Sequence, residues 1–388
     1  MSHPFDQILE GDMRRAYNGK WWDVEAGEIP LYVADMDLPF APEIRKALID
    51  HLEADTLMYP ARGGRPGLSE AVSDRLGSRY GWNVEPNHIL PLSATVPGLF
   101  LSVAALTCPG EGVLVQPPVY PPFYEAIRYT GRNIVSAPLA PPEYRVDRTV
   151  LEASLTPDVR ALMICSPHNP TGRVYRRSEV ETLATFALDH DLWIISDELH
   201  ADLVLEGRHH PIAGLAPEVA ERTVTLYGPT KAFNIAGIKI SFAITRNDKA
   251  RELMQHRARG SAAGPNTLAQ TAALAAYRWG DPWLEGTLDY LRANRARLGE
   301  AIGALEGVTW HPPEGTYLAW LDFRRLGLDD PAEELRKGAG LVLSQGLGFG
   351  LDGEGRGFAR LNFGTSRPIL DAALARMKGV VEGASREA

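Results

Sequence analysis

Seven short runs of almost continuous hydrophobicity, separated by longer stretches with helical spacing, occupy residues 88 to 245 and restrict what this chain can fold into. They are His88-Ile89-Leu90-Pro91-Leu92, Gly112-Val113-Leu114-Val115-Gln116, Asn133-Ile134-Val135-Ser136, Ala161-Leu162-Met163-Ile164-Cys165, Leu192-Trp193-Ile194-Ile195-Ser196, Thr223-Val224-Thr225-Leu226-Tyr227 and Ile240-Ser241-Phe242-Ala243-Ile244. A strand with one solvated face alternates apolar and polar residues; most of these do not, so both faces are expected to be covered. Buried strands alternating with helices predict an α/β fold, a mainly parallel sheet between helical layers.

Beyond Ala269 the pattern changes. The chain becomes alanine-rich, and Leu284, Leu288, Leu291 and Leu298 give residues Trp283 to Leu305 the spacing of one long helix. A short strand at Thr316-Tyr317-Leu318-Ala319-Trp320-Leu321 and helices over Pro331 to Lys337 and Ile369 to Glu382 predict a smaller α+β unit. The expected division is a large domain over 41–285 and a small one made of 1–40 with 286–388.

Open α/β sheets bind ligands at the carboxyl ends of their strands. Two predicted strands end there on polar residues, Asn169 in Ser166-Pro167-His168-Asn169-Pro170-Thr171-Gly172 and Asp197 directly after Ser196; Lys231 follows in Tyr227-Gly228-Pro229-Thr230-Lys231. A lysine amine condenses with an aldehyde, a carboxylate holds a pyridine nitrogen protonated, and an amide hydrogen-bonds a ring hydroxyl, so the trio points to a pyridine aldehyde cofactor. Ala94, Thr95 and Val96 lie where the first strand gives way to a helix, with Pro97 read as the first helical residue, and free N–H groups there suit a phosphate. Tyr120, on a proline-rich turn, is placed to stack on a ring, with Tyr124 in reserve. Each residue has a plainer reading: Asn169 as a turn former, Asp197 as a helix cap, the tyrosines as packing.

A net charge of −9 with mixed signs argues against nucleic acid, and no apolar run approaches the ~20 residues needed to cross a bilayer. Cys108 and Cys165 both have apolar neighbours and read as buried thiols of a reducing compartment; with no leader pattern in the first residues, a cytoplasmic location is expected. No metal is expected, and the pair His209-His210 reads as a solvated loop.

Taken with further motifs, these residues resemble the fold-type I enzymes of pyridoxal 5'-phosphate, over essentially the whole chain. Within that family the likeness is to the MalY/PatB-type carbon–sulfur β-lyases, through Lys20-Trp21, Val33-Ala34-Asp35-Met36-Asp37, Asp197-Glu198-Leu199-His200 and Gly357-Phe358-Ala359-Arg360-Leu361-Asn362. The resemblance implies Lys231 as the Schiff-base lysine, Asp197 on the pyridine nitrogen, Asn169 on the ring oxygen and Tyr120 on the ring face. Arg360 would hold the substrate carboxylate, against the alternative of a structural ion pair, with Tyr32 lining the substrate pocket. Tyr59 would reach the phosphate of a neighbouring subunit, making a homodimer. Three departures stand out. Gly228 replaces a usual hydroxyl residue, leaving Thr230 alone for the phosphate. Lys239 stands where related aminotransferases carry an arginine, keeping the charge and losing the fork. His200 replaces a tyrosine near the ring oxygen, which favours the lyase branch, unless it is only a satisfied helix histidine. The activity implied is β-elimination from L-cystathionine, L-cysteine or related S-substituted cysteines; an aminotransferase, or a biosynthetic lyase for a larger cysteine conjugate, is the alternative.

Overall fold

The computed structural model describes residues 3–16, 18–54, 57–61, 64–259 and 264–387. All seven apolar runs are strands of one sheet: β1 (Ile89–Leu92), β2 (Gly112–Val115), β3 (Asn133–Ser136), β4 (Val159–Cys165), β5 (Trp193–Asp197), β6 (Thr223–Tyr227) and β7 (Ser241–Ile244). Their spatial order is β1-β7-β6-β5-β4-β2-β3. Only β7 runs against the rest, pairing antiparallel with both β1 and β6.

The unbroken hydrophobicity of these runs has the cause expected of it. Alternate residues point to opposite faces of a strand. On one face Val113, Val115, Met163, Ile195 and Leu226 pack with Leu99 and Val103 of the helix Thr95–Leu106. On the other, Leu114, Leu162, Ile164 and Ile194 pack with Leu183 and Phe186 of the helix Arg177–Asp189. The central strands β2, β4 and β5 each therefore bury two apolar sets, one in each cluster.

Topology locates the site. After β2 the chain moves outward to β3, and after β4 it moves the other way through β5 and β6, so the direction reverses between the neighbours β2 and β4. A reversal of this kind opens a crevice at the carboxyl ends of the two strands. Cys165 and Asp197 are register partners at that edge.

The remaining chain contributes the helix Asp281–Gly303 and an antiparallel sheet of β8 (Thr309–Trp310), β9 (Leu318–Asp322), β10 (Ser344–Gln345) and β11 (Phe358–Asn362), in the order β10-β11-β9-β8. Ile29–Pro30 pairs in parallel with Leu341–Val342, which ties the N-terminal segment to this sheet's surroundings. On these pairings we propose the division into 41–285 and 1–40 with 286–388, the helix Asp281–Gly303 running through the junction.

Several local readings are corrected. The helix expected to begin at Pro97 begins at Thr95, with Ala94 as its extended N-cap and Pro97 in the first turn. Cys108 is exposed, because it lies past the end of that helix in a turn closed by the N–H of Glu111 on its carbonyl. His209 is buried rather than solvated: its Nε2 meets Glu198 Oε2 at 2.7 Å, and a buried partner carboxylate makes the interior tolerable for it.

Candidate active site

A cavity of about 920 Å³ opens at the reversal and is lined by Ala94, Thr95, Val96, Tyr120, Asn169, Asp197, His200, Thr230, Lys231 and Lys239. Ten of the residues read from the sequence are thus brought together from six separate segments. Arg360 reaches this wall through Asn169, donating from Nη1 to Asn169 Oδ1 at 2.8 Å. Tyr59 is not gathered: it stands fully exposed in the segment 57–61.

The helix Thr95–Leu106 presents its N-terminus to the cavity, and no side chain caps it. Its first-turn N–H groups and the positive end of the helix dipole are therefore available to an anion. Lys239, exposed and at φ 58°, lines the same cavity and has no ion-pair partner among the described residues. Thr230 adds a hydroxyl to the cavity lining.

Asp197 terminates β5 with one carboxylate oxygen accepting from the Leu199 N–H at 3.0 Å. No helix follows, so Asp197 closes a local turn instead of capping a helix, and it uses only one oxygen for this; the other makes no hydrogen bond among the described residues. Burial pushes this carboxyl up to about 6, opposed by the Leu199 N–H and helped by the adjacent charge of Glu198. Glu198 itself turns away, accepting from Ser196 Oγ at 2.8 Å and meeting His209.

Lys231 follows β6 and directs its amine at the N-terminal segment, donating to the carbonyl of Ala34 at 2.7 Å and lying 3.7 Å from Asp35 Oδ1. Burial lowers the proton affinity of this amine, Arg360 lowers it further, and Asp35 and Asp197 oppose them. A lowered proton affinity favours the neutral amine, the form a nucleophile or base needs.

Arg360, on β11, is buried and has no carboxylate partner among the described residues, so the alternative of a structural ion pair is excluded for them. Its other hydrogen bonds go to the Tyr32 carbonyl at 2.7 Å and Ser344 Oγ at 3.0 Å, and its Nε has no partner. Tyr32 thus serves the site through its backbone. Burial lowers the guanidinium to about 10, with Tyr120 and Tyr317 opposing. His200 lies in a turn, not a helix, and its Nδ1 is unpartnered, which overturns the satisfied-histidine reading; burial and the charges of Lys231 and Arg360 hold its pKa at about 3. Tyr124, the reserve stacking candidate, is instead a packing residue whose hydroxyl donates to the Phe349 carbonyl at 2.7 Å.

Sequence reasoning missed how this wall is held. The Ala34 carbonyl and Asp35 carboxylate were visible only as part of a motif, Cys165 was legible only as a buried thiol, and Ser93 and Asn266 in the cavity lining carried no signal. The unsatisfied donors fit a phosphorylated pyridine aldehyde: an uncapped helix terminus for the phosphate, an amine for the aldehyde, an amide and an acid for the ring, and an unpaired guanidinium beside them.

Comparison with known proteins agrees. The chain is 36% identical to the cystathionine beta-lyase PatB of Bacillus subtilis, over 91% of this chain and 92% of that protein. Its fold superposes on the crystal structure of OvoB with a TM-score of 0.93 at 37% identity, covering 98% and 99% of the two chains. Cystalysin from Treponema denticola, whose crystal structure contains pyridoxal 5'-phosphate, gives a TM-score of 0.90 at 30% identity, covering 99% and 100%. The model of the aminotransferase class I and II family matches residues 27–377, and the chain belongs to that family.

Proposed function

We propose that the protein is a pyridoxal 5'-phosphate-dependent carbon–sulfur β-lyase that releases a thiol, pyruvate and ammonia from L-cystathionine, L-cysteine or a related S-substituted cysteine. The observation that carries this reading is Arg360, a buried cation without a counter-ion, hydrogen-bonded to a residue of the cavity wall. Three of its five N–H donors are in use, on neutral acceptors, and Nε–H and one Nη1–H have no protein partner, so the guanidinium charge is left for the carboxylate of an amino acid. The name and similarity of PatB support the lyase among the reactions open to this family.

Ala94, Thr95, Val96, Thr230 and Lys239 would hold the cofactor phosphate, Asn169 the ring oxygen, Asp197 the ring nitrogen and Tyr120 the ring face, with His200 beside the oxygen. When bound, the cofactor supplies an electron sink for negative charge at the substrate α-carbon. Arg360 fixes the carboxylate and so orients the α C–H bond. Lys231 takes that proton onto Nζ; the C–S bond then breaks with its electron pair on sulfur, the thiolate gains a proton, and the enamine left behind takes up water to give pyruvate and ammonia. Asp197, raised by burial, is suited to share a proton with a ring nitrogen across a hydrogen bond.

Leu57, Met58 and Tyr59 are all strongly exposed in consecutive positions, and Ile49, Leu52 and Trp279 expose further apolar surface. Such surface supports a homodimer in which Tyr59 crosses to the partner's phosphate. Sedimentation at micromolar concentration is expected to give twice the chain mass; a stable monomer with full activity would remove the dimer from the proposal. Both cysteines are free, in keeping with a reducing, cytoplasmic location.

The direct test is an absorbance spectrum of purified protein supplied with cofactor, followed on addition of L-cystathionine without any keto acid. A visible band and continuous pyruvate release are expected, with Lys231→Ala lowering the rate by about 1,000-fold or more. A band that bleaches once and recovers only with a keto acid would make the protein an aminotransferase, and no band at all would overturn the reading.

A further inference from the structure

The Val33–Asp37 motif is held with an effort its place in the chain does not explain. Asp37 is buried between Lys20 Nζ at 2.9 Å and Trp21 Nε1 at 2.8 Å. Asn362 donates to the carbonyls of Val33 and Asp35 at 2.6 and 2.7 Å, Lys20 donates again to the Asp35 carbonyl at 3.2 Å, and Asn234 bonds the N–H and carbonyl of Met36. Burying an ion pair gains little stability by itself, because desolvation offsets the attraction. Here it fixes a backbone whose free groups all face one way: the Ala34 carbonyl accepts from Lys231 and from the Tyr317 hydroxyl at 2.9 Å, and the Asp35 carboxylate has no ion-pair partner but Lys231 among the described residues.

We propose that Ala34 and Asp35 form a cradle for the ammonium of Lys231 whenever that amine is not bonded to cofactor, Asp35 being a positioning residue that makes Lys231 a stronger base than its buried surroundings would allow. The proposal rests on the reading of Lys231 as the reaction's base. The proton taken from the α-carbon arrives at Nζ, where the ammonium donates to the Ala34 carbonyl and faces the Asp35 carboxylate 3.7 Å away as an ion pair. Asp35 stabilises the protonated amine by charge, and because its own side chain is half exposed it does so without being deeply desolvated itself. The other charged and titratable groups facing Lys231 are Asp197, which acts in the same direction, and Arg360 and His200. Since Asp197 would be engaged by the ring, Asp35 is the carboxylate left to serve the lysine alone.

The test reads the amine directly on cofactor-free protein, by competitive acetylation across pH 6 to 10 with mass spectrometry of the Lys231 peptide. Removing the anion disfavours the ammonium, so Asp35→Asn is expected to be acetylated about 5-fold faster than wild type at pH 7.5, with Asp35→Glu restoring slow labelling. Asp35→Ser is made alongside, so that poor folding of one variant leaves another to decide, and thermal melts identify the folded ones. Labelling profiles of folded Asp35→Asn or Asp35→Ser that coincide with wild type would overturn the proposal. Failure of the lyase reading would show itself separately, as a missing band or missing pyruvate.

Discussion

Arg360 shows most sharply how a residue's identity follows from its surroundings. Its side chain meets a carbonyl, a hydroxyl and an amide oxygen, all neutral, in a place where a charge is costly without an anion. Arg360→Lys keeps the charge but replaces a planar fork by a point charge. We expect KM for the amino acid to rise about 10- to 100-fold with a smaller change in kcat, equivalent to one lost charge-assisted hydrogen bond of about 1.5–3 kcal/mol. Steady-state kinetics decide it, and an unchanged KM would place the substrate carboxylate elsewhere. Lys231, Asp197 and Asn169 were legible in the sequence because strand direction alone puts the latter two at the ligand edge, and an ammonium among apolar residues demands a reason. Cys108 and His209 were misread for a common cause. Apolar neighbours in sequence do not bury a thiol at a turn, and polar neighbours do not solvate a histidine that has found a buried carboxylate.

At the scale of elements, the turn Asn169–Gly172 has to deliver an amide side chain while passing close to the segment before β9. Gly172 has φ 72°, and a Cβ built there would lie 2.3 Å from Pro313 Cβ. The Gly172 carbonyl also accepts from the Gly315 N–H at 2.8 Å, and Arg173 ties the next residue to Glu314 at 3.2 Å and to Glu179 at 2.7 Å. Gly172→Ala therefore incurs both an unfavourable backbone conformation and an overlap with a rigid ring, and should lose about 2–4 kcal/mol in urea unfolding. Because the same turn carries Asn169, cofactor affinity should fall as well; a variant as stable as wild type would show that the segment near Pro313 yields easily. The seven strands and the long helix were readable from hydrophobic pattern, since burial on two faces writes itself into consecutive residues. The start of the helix Thr95–Leu106 was not, because a proline is acceptable anywhere in the first turn and so does not single out the first residue.

For the whole molecule, buried titratable groups set the pH dependence of the cofactor-free protein. Burial holds His168 and His200 at about 3, with Arg173 adding to the effect on the first and Lys231 and Arg360 on the second. Between pH 6.5 and 3 the unfolded chain binds protons at these two sites and the folded one does not, so acid removes stability there at about 1.4 kcal/mol per pH unit for each histidine. Asp197, raised to about 6, has the opposite sign: it binds its proton more tightly when folded, so between pH 3.8 and 6 it favours the folded state on acidification. Two terms outweigh one. The urea midpoint should fall from pH 6.5 to 4.5, and a His168→Gln, His200→Gln double variant should lose or reverse that slope; an unaltered slope would assign acid sensitivity to other groups. The sequence by itself determined the sheet, its burial on both faces and the polar strand ends, since each is encoded in residues that follow one another. Only the tertiary structure decided that Arg360 meets Asn169 across 191 positions and Lys231 meets Ala34 across 197. Such contacts depend on how whole layers pack, and the free energy that selects them is spread over the entire core rather than written at either residue.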